Sequence, residues 1–232
     1  MGKIIAIVNQ KGSVGKTTTT GYLAKALTNK NKKVLIIDLD PLSDSISRFD
    51  MSAEEITTSL PECMDGKATI KDCIVSVGNS ELSIAYGGKH LIGFEITAMN
   101  HKNREAVLAE SLTIVKDDYD YILIDTPSSL GLLTMNALTA ANEVIIPIRC
   151  DYSIFEGMAE LLRTINDVSD ELNQELTIAG FIVTHVNTEL RSTSVNLKEI
   201  HTCYGDKVFN TVIPSNGDLS VNYSQLAAEI FV

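Results

Sequence analysis

The sequence predicts an α/β fold of three layers, in which a mostly parallel, twisted sheet lies between two layers of helices. Apolar runs at residues 3–8, 33–41 and 120–125 are rich in Ile, Leu and Val, and polar residues lie at or directly after the end of each run. Near-continuous apolar runs of this kind are typical of parallel strands that are covered on both faces. Segments of helical periodicity separate the runs, which is the pattern of repeated βαβ units.

The rest of the chain continues this alternation. Further strands are predicted at residues 82–86, 143–148 and 176–184, with another before the Ile213–Pro214 pair, and helices at 69–74, 103–115, 156–168 and 223–230. At 232 residues the chain is long enough for one domain with a sheet buried on both faces.

A glycine-containing loop links the first strand to a helix over residues 18–27. Gly12 and Gly15 allow the backbone to turn its N–H groups around an anion, and the positive end of the helix dipole points to the same place. This context predicts a phosphate-binding loop, in which Lys16 contacts the β- and γ-phosphates and the Thr17 hydroxyl binds Mg²⁺. The residues of the loop that are expected to bind the nucleotide are Gly12, Ser13, Val14, Gly15, Lys16, Thr17 and Thr18.

Carboxylates follow two further strands. Asp38 and Asp40 end the second apolar run, and Asp125 ends the run at 120–125. Ligands of open α/β sheets bind at the carboxyl ends of the strands, so we expect these acids to lie beside the phosphate loop. An acid at such a strand end binds Mg²⁺ directly or through water, so Asp125 joins Thr17 as a predicted metal residue. Asp38 and Asp40 are candidates both to hold the Mg²⁺ shell and to orient an attacking water.

The segment Lys11–Thr17 resembles the deviant Walker A motif, K-G-G-x-G-K-[ST], of the ParA/MinD family of P-loop ATPases, with Ser13 in place of the second glycine. The resemblance covers most of the chain and implies a P-loop NTPase fold, with residues 1–232 as one nucleotide-binding domain of the ParA type. It implies that Lys11 crosses a dimer interface to the partner's nucleotide. Residues 38–42 resemble the family's D-x-D-P-Q segment, with Leu42 in place of Gln. This implies that Asp40 positions the attacking water and that Asp38 supports the metal site. Lys11, Lys16 and Asp40 are therefore the expected catalytic residues.

Residues 207–214 resemble the chromosome- and plasmid-partition branch of this family, which includes the Soj-type proteins. By that resemblance Asn187, Ile213 and Pro214 border the adenine. Family members often carry DNA-binding arginines soon after this Ile-Pro pair, whereas this chain has Ser215 and Asp218. Arg191 is the basic residue that we nominate for a phosphate contact with DNA.

Composition limits the other classes of function. The formal charge of −11 opposes nonspecific DNA binding by the molecule as a whole, although a local basic patch is compatible with it. No apolar stretch approaches the ~20 residues of a membrane span, and the first residues enter a strand without a signal sequence. The four cysteines are widely spaced, as expected of reduced thiols in the cytoplasm.

The resemblance implies an ATP- and Mg²⁺-dependent homodimer with weak intrinsic turnover. It would bind nonspecific DNA, associate with the nucleoid, and hydrolyse ATP faster with a centromere-binding partner of the ParB type. One alternative is a membrane-cycling regulator that resembles MinD, although residues 225–232 lack the Lys and Arg of a basic amphipathic helix. The other alternative is a nucleotide-responsive binding module in which Ser13 impairs hydrolysis.

Overall fold

The structure is a computed structural model that describes residues 2–43, 45–49, 51, 56–98, 101–151 and 155–231, with the side chain of Arg191 outside this set. Within these residues seven strands form one sheet, in the order β3-β4-β2-β5-β1-β6-β7. The strands are β1 (Lys3–Ile7), β2 (Val34–Asp38), β3 (Ile74–Ser76), β4 (Leu82–Tyr86), β5 (Tyr121–Asp125), β6 (Glu143–Arg149) and β7 (Thr177–Thr184). All pairings are parallel except that of the edge strand β3 with β4. The predicted mostly parallel sheet is confirmed.

The described helices cover both faces of this sheet. They are α1 (Lys16–Thr28), α2 (Leu60–Met64), α3 (Ile70–Cys73), α4 (Leu91–Thr97), α5 (Val107–Leu112), α6 (Leu132–Ala140), α7 (Met158–Glu171), α8 (Arg191–Tyr204) and α9 (Ser220–Ile230), with 3₁₀ turns at Ile46–Phe49, Gly88–His90 and Gly205–Lys207.

Alternation along the strands divides the interior into two cores. On β1, Ile5 and Ile7 face the core built with α1 and α9, whereas Ile4 and Ala6 face the core built with α5, α6 and α7. Each of these four side chains is buried because the sheet has helices on both sides. The expected three layers are therefore present.

Two predicted elements differ from the structure. The helix expected at 103–115 is confined to Val107–Leu112, with turns on both sides. Its first turn is tied to α6, because the Asn136 side chain accepts a hydrogen bond from Leu108 N and donates one to Arg104 O. The strand expected before Pro214 is replaced by two isolated bridges, Phe181 with Val208 and Val186 with Pro214.

Candidate functional site

The candidate site lies where the carboxyl ends of β1, β2 and β5 meet. Parallel pairing places Asp125 beside both Ile7 and Asp38. The chain leaves β1 two residues before Asn9 and enters α1 at Lys16, so the loop between them spans the same edge. The structure thus brings together the loop and the acids that the sequence predicts, as expected for a ligand site of a parallel α/β sheet.

The loop adopts a backbone suited to an anion. Gly15 precedes α1 with φ +92°, and Ser13 has φ +57°, a left-handed conformation that favours glycine. Ser13 is also the residue that departs from the family motif, and its left-handed backbone is strained by the presence of a Cβ. Gly12 and Ser13 are exposed, whereas Val14 is buried.

Side chains from the ends of β6 and β7 hold the loop. Arg149 Nη1 donates to Ser13 O at 3.3 Å, and Thr184 Oγ1 donates to Val14 O at 2.9 Å. Because the C=O and N–H of a trans peptide point in opposite directions, these bonds turn the N–H groups of Val14 and Gly15 away from β6 and β7. The loop is therefore preorganised, with its carbonyls bonded on one side.

Lys16 is buried, with 5% of its surface exposed. Its Nζ donates to Ser128 Oγ at 2.7 Å and to Lys11 O at 3.3 Å. Burial lowers the pKa of Lys16, and the charges of Asp125 and Asp40 oppose that shift. The ammonium thus lies between the loop and the acids, where a negatively charged ligand would compensate its lost hydration.

Lys11 faces a different side of the loop. Its Nζ forms an ion pair with Asp151 Oδ1 at 3.2 Å, and Asp151 Oδ2 accepts Arg149 Nε at 3.0 Å. The Asn9 side chain fixes the start of the loop, since Oδ1 accepts Lys11 N and Nδ2 donates to Pro147 O. Lys11 is therefore held within its own protomer in this state.

Asp125 is a buried acid whose oxygens are unsatisfied. Among the described residues neither carboxylate oxygen has a hydrogen-bond partner of normal geometry, although 1% of the residue is exposed. Burial, followed by the neighbouring charge of Asp38, raises the pKa of Asp125, and the Thr17 hydroxyl and Lys16 oppose the shift. A buried carboxylate without a partner requires a proton or a cation.

Asp38 and Asp40 have different environments. Asp38 is fully buried, accepts Ser45 Oγ and accepts Asp40 N at 2.9 Å, and burial raises its pKa to about 6. Asp40 is half-buried, and its Oδ1 accepts Leu42 N at 2.9 Å, which orients the carboxylate. Asp40 and Thr17 line one cavity of about 300 Å³.

These residues fit a magnesium ion that is bound together with phosphates. Within the described part of the chain no three acidic, His or Cys side chains group closely enough to hold a metal alone. Protein Mg²⁺ sites commonly use one or two carboxylates plus substrate phosphates and water. The orphaned oxygens of Asp125 beside Thr17 meet that requirement.

The three residues predicted to border the adenine lie near the end of β7. Val186 N donates to Ile213 O at 3.0 Å, and Val186 bridges Pro214. Asn187 is half-buried, and its Oδ1 accepts Glu189 N at 3.0 Å. Thr18 is half-buried in the first turn of α1. Arg191 begins α8, but its side chain lies outside the described residues.

Several side chains that support the site were not predicted from the sequence: Ser128, Arg149, Asp151 and Thr184. Ser128 lies in the loop after Asp125. The other three lie at or just beyond the ends of β6 and β7, which the sequence does predict to be strands. Polar residues at the ends of adjacent strands were the available signal.

Comparison with known proteins gives one consistent result. Residues 2–178 match the family described as an AAA domain. The chain is 39% identical to the sporulation initiation inhibitor protein Soj of Bacillus subtilis (strain 168), with 95% of this chain and 87% of that protein covered. It is 40% identical to the chromosome-partitioning ATPase Soj of Treponema pallidum (strain Nichols), with 95% and 86% covered.

Solved structures agree with the sequence relatives. A cobyrinic acid a,c-diamide synthase of Mycobacterium smegmatis, crystallised with an ATP analogue and magnesium, has a TM-score of 0.92 at 29% identity, with 98% of this chain and 93% of that chain covered. A plasmid partition protein of Borrelia burgdorferi has a TM-score of 0.83 at 29% identity, with 98% and 97% covered. The chain therefore belongs to the AAA-domain family that includes the Soj and ParA partition ATPases.

Proposed function

We propose that this chain is an ATP-binding and ATP-hydrolysing switch that partitions plasmid or chromosomal DNA. The observation that carries the proposal is the convergence of Lys16, Thr17 and the unsatisfied Asp125 at one sheet edge. The partition role is supported by relatives named as partition proteins at 35–40% identity. We assign residues 1–232 to one domain of this kind.

In the proposed reaction a water attacks the γ-phosphorus of ATP, and the bond from that phosphorus to the β,γ-bridging oxygen breaks, giving ADP and phosphate. Mg²⁺, when bound with the phosphates at Thr17 and Asp125 and supported by Asp38, supplies charge neutralisation. Lys16 holds the β- and γ-phosphates, and the loop N–H groups of residues 12–18 position them. Asp40 accepts a hydrogen bond from the water and orients it. Positioning and electrostatics supply most of the catalysis in reactions of this type.

Lys11 supplies the proposed link to dimerisation. Its ion pair with Asp151 must open before Lys11 reaches a partner's nucleotide. We propose that ATP joins two protomers in this way and that a ParB-type activator speeds the otherwise weak turnover. Asn187, Ile213 and Pro214 would border the adenine, and Arg191 would contact nonspecific DNA. The protein would then act in the cytoplasm on the nucleoid.

Sizing the protein by light scattering tests the switch. We expect a dimer with ATP and Mg²⁺, a monomer with ADP, and retention of duplex DNA by the dimer at low salt. Hydrolysis of ATP by the same sample tests the enzyme. A monomer under all conditions would overturn the switch, and a sample that neither binds nor hydrolyses ATP would overturn the whole proposal.

The backbone of Ser13 favours a second candidate, a nucleotide-responsive module with impaired hydrolysis. Its φ of +57° is strained for a residue with a Cβ. Ser13→Gly removes that strain within the loop. Asn31→Gly is the matched control, because Asn31 has the same φ of +57° but lies outside the loop. If Ser13 limits hydrolysis, turnover rises at least about threefold in Ser13→Gly alone, the effect of removing roughly 0.7 kcal/mol of strain. Equal turnover in both variants and the parent would remove this candidate.

The described helices can be compared with what a membrane-associated protein would need. None of them is both long and apolar enough to cross a bilayer. The last described helix, α9, instead packs on α1, where Tyr223 stacks on Tyr22 with ring centroids 5.0 Å apart. Sedimentation with vesicles in the presence of ATP tests the MinD-like alternative, which requires the protein to pellet with lipid.

A further inference from the structure

His185 has an unusual backbone beside the phosphate loop. It follows the last residue of β7 with φ +55°, a left-handed conformation in which only a few residue types other than glycine are enriched, His among them. This turn brings the imidazole to the loop: ring atom Cε1 lies 3.9 Å from the position that a Cβ on Gly15 would occupy. Nδ1 of the same ring lies 3.1 Å from Thr184 Oγ1.

The hydrogen-bond partners of Thr184 determine which atom of His185 carries the proton. Thr184 Oγ1 lies 2.9 Å from Val14 O and 3.3 Å from Ile148 O, and both carbonyls are acceptors only. A hydroxyl has one proton to donate. If the Thr184 hydroxyl donates this proton to a carbonyl, its contact with His185 is a hydrogen bond only when Nδ1 carries a proton and donates it. In the opposite arrangement the hydroxyl donates to Nδ1 and has no proton left for a carbonyl. Thr184 then makes one hydrogen bond, whereas the first arrangement gives it two.

The surroundings of His185 favour the neutral ring. Burial, followed by the positive charge of Arg149, lowers the pKa of His185, and Asp151 opposes the shift. A neutral imidazole has one N–H, and the partner of one nitrogen selects the tautomer. A Thr184 hydroxyl that donates to a carbonyl is matched by the tautomer with the proton on Nδ1.

We propose that His185 is a positioning residue of the phosphate loop, whose Nδ1–H donates to Thr184 Oγ1. The Thr184 proton is then left to the carbonyls, and it goes to Val14 O, which at 2.9 Å is nearer than Ile148 O at 3.3 Å. The peptide between Val14 and Gly15 is then fixed with its N–H directed away from β7. That N–H is one of the groups that hold phosphates in such loops. The inference rests on the proposed ATP binding and adds a residue that lies about 170 positions from the loop it orients.

The tautomer is measured directly by two-bond ¹H–¹⁵N correlation on protein labelled with ¹⁵N-histidine. The chain has four histidines, and the His185 signals are assigned by their loss in His185→Asn. We expect a neutral ring protonated at Nδ1 at pH 7.5. In Thr184→Val, which removes the hydroxyl, we expect the proton to move to Nε2. A parent protein with the proton on Nε2 of His185 would overturn the proposal.

Two matched variants connect the tautomer to ligand binding. His185→Asn keeps a side-chain N–H at the place of Nδ1 and tolerates the left-handed backbone, whereas His185→Gly keeps the backbone and removes the donor. We expect His185→Gly to bind a non-hydrolysable ATP analogue about fivefold more weakly, as for one lost hydrogen bond, and His185→Asn to bind within about twofold of the parent.

The outcomes separate this inference from the proposed function. Equal affinities for His185→Asn and His185→Gly would overturn the positioning role while leaving ATP binding intact. If the parent binds no ATP analogue, the proposed function fails, and the role of His185 toward ATP fails with it. The tautomer still decides whether His185 directs the Thr184 proton.

Discussion

The two halves of the site differ in how well their polar groups are satisfied. In the loop half, the carbonyls of Lys11, Ser13 and Val14 all accept hydrogen bonds from side chains of the same protomer. In the acidic half, neither oxygen of the buried Asp125 has a hydrogen-bond partner among the described residues, and burial raises the pKa of Asp38 although its carboxylate accepts hydrogen bonds from Ser45 and Asp40. Preorganised donors bind an anion without reorganisation, whereas buried, unsatisfied carboxylates favour a cation.

Because of this difference, mutations in the two halves should change the stability of the free protein in opposite directions, although both should impair function. A change in the loop half removes contacts that the free protein already makes, so it should lower both stability and nucleotide affinity. Neutralising an acid removes a buried charge, so it should stabilise the free protein while damaging catalysis. Proteins commonly hold such destabilising groups at functional sites.

Asp40→Ala should produce the largest effect. We expect ATP affinity within about threefold of the parent and a turnover at least 100-fold lower, since a positioned acid or base contributes about 10²–10⁴-fold. Phosphate release and analogue binding measure the two quantities. The exposed Asp118→Ala is the control, and normal turnover in Asp40→Ala would show that another group positions the water.

Lys16→Ala should have the second largest effect, and it tests the loop half of the site. We expect ATP affinity to fall by about 100-fold, because a buried, charge-assisted contact is worth roughly 3 kcal/mol. Lys25→Ala, which removes an exposed lysine from the same helix, should bind as the parent does. Calorimetry compares the two, and equal affinities would place the phosphates away from Lys16.

Asp38→Asn tests the acidic half through the free energy of unfolding of the nucleotide-free protein. The folded pKa of about 6 is above the ordinary value of 3.8, so ionisation disfavours the folded state. Stability is lost as pH rises from about 4 to 6, by at most about 3 kcal/mol at 1.36 kcal/mol for each pKa unit. We therefore expect a gain of about 2 kcal/mol for Asp38→Asn at pH 7.5.

The gain in stability from Asp38→Asn should largely disappear near pH 4, where Asp38 of the parent is mostly protonated in the folded state and about half protonated in the unfolded state. Denaturant unfolding at a series of pH values measures it, and Asp118→Asn provides the exposed control. A gain that is independent of pH would mean that packing, rather than charge, causes the effect.

Thr184→Val should have the smallest effect, and it should lower the free energy of unfolding, whereas Asp38→Asn should raise it. It keeps the shape of a buried side chain and removes the hydroxyl that holds Val14 O. We expect the free energy of unfolding to fall by about 1–2 kcal/mol, the cost of a buried acceptor left unpaired. An unchanged free energy of unfolding would mean that Thr184 does not hold the loop.

Local sequence patterns were sufficient to predict most strands of the sheet and the positions of the acidic residues in the site. Burial on both faces makes the strands apolar, and the strand ends then locate Asp38, Asp40 and Asp125. The limits of α5 were not predictable, because the Asn136 side chain of another helix bonds the residues at its start. The partners of the loop were missed for the same reason: Thr184 and Arg149 contact it across more than 130 positions of sequence.

A crystal structure with Mg²⁺ and a non-hydrolysable ATP analogue tests the central claim most directly. The account predicts the triphosphate on the loop, with Lys16 Nζ at the β- and γ-phosphates and Mg²⁺ bound by Thr17 and, directly or through water, by Asp125. A second cavity, of about 680 Å³, lies between Pro41, Tyr86 and Phe94. An analogue bound there, or an Asp125 still without a partner beside a bound nucleotide, would contradict the account.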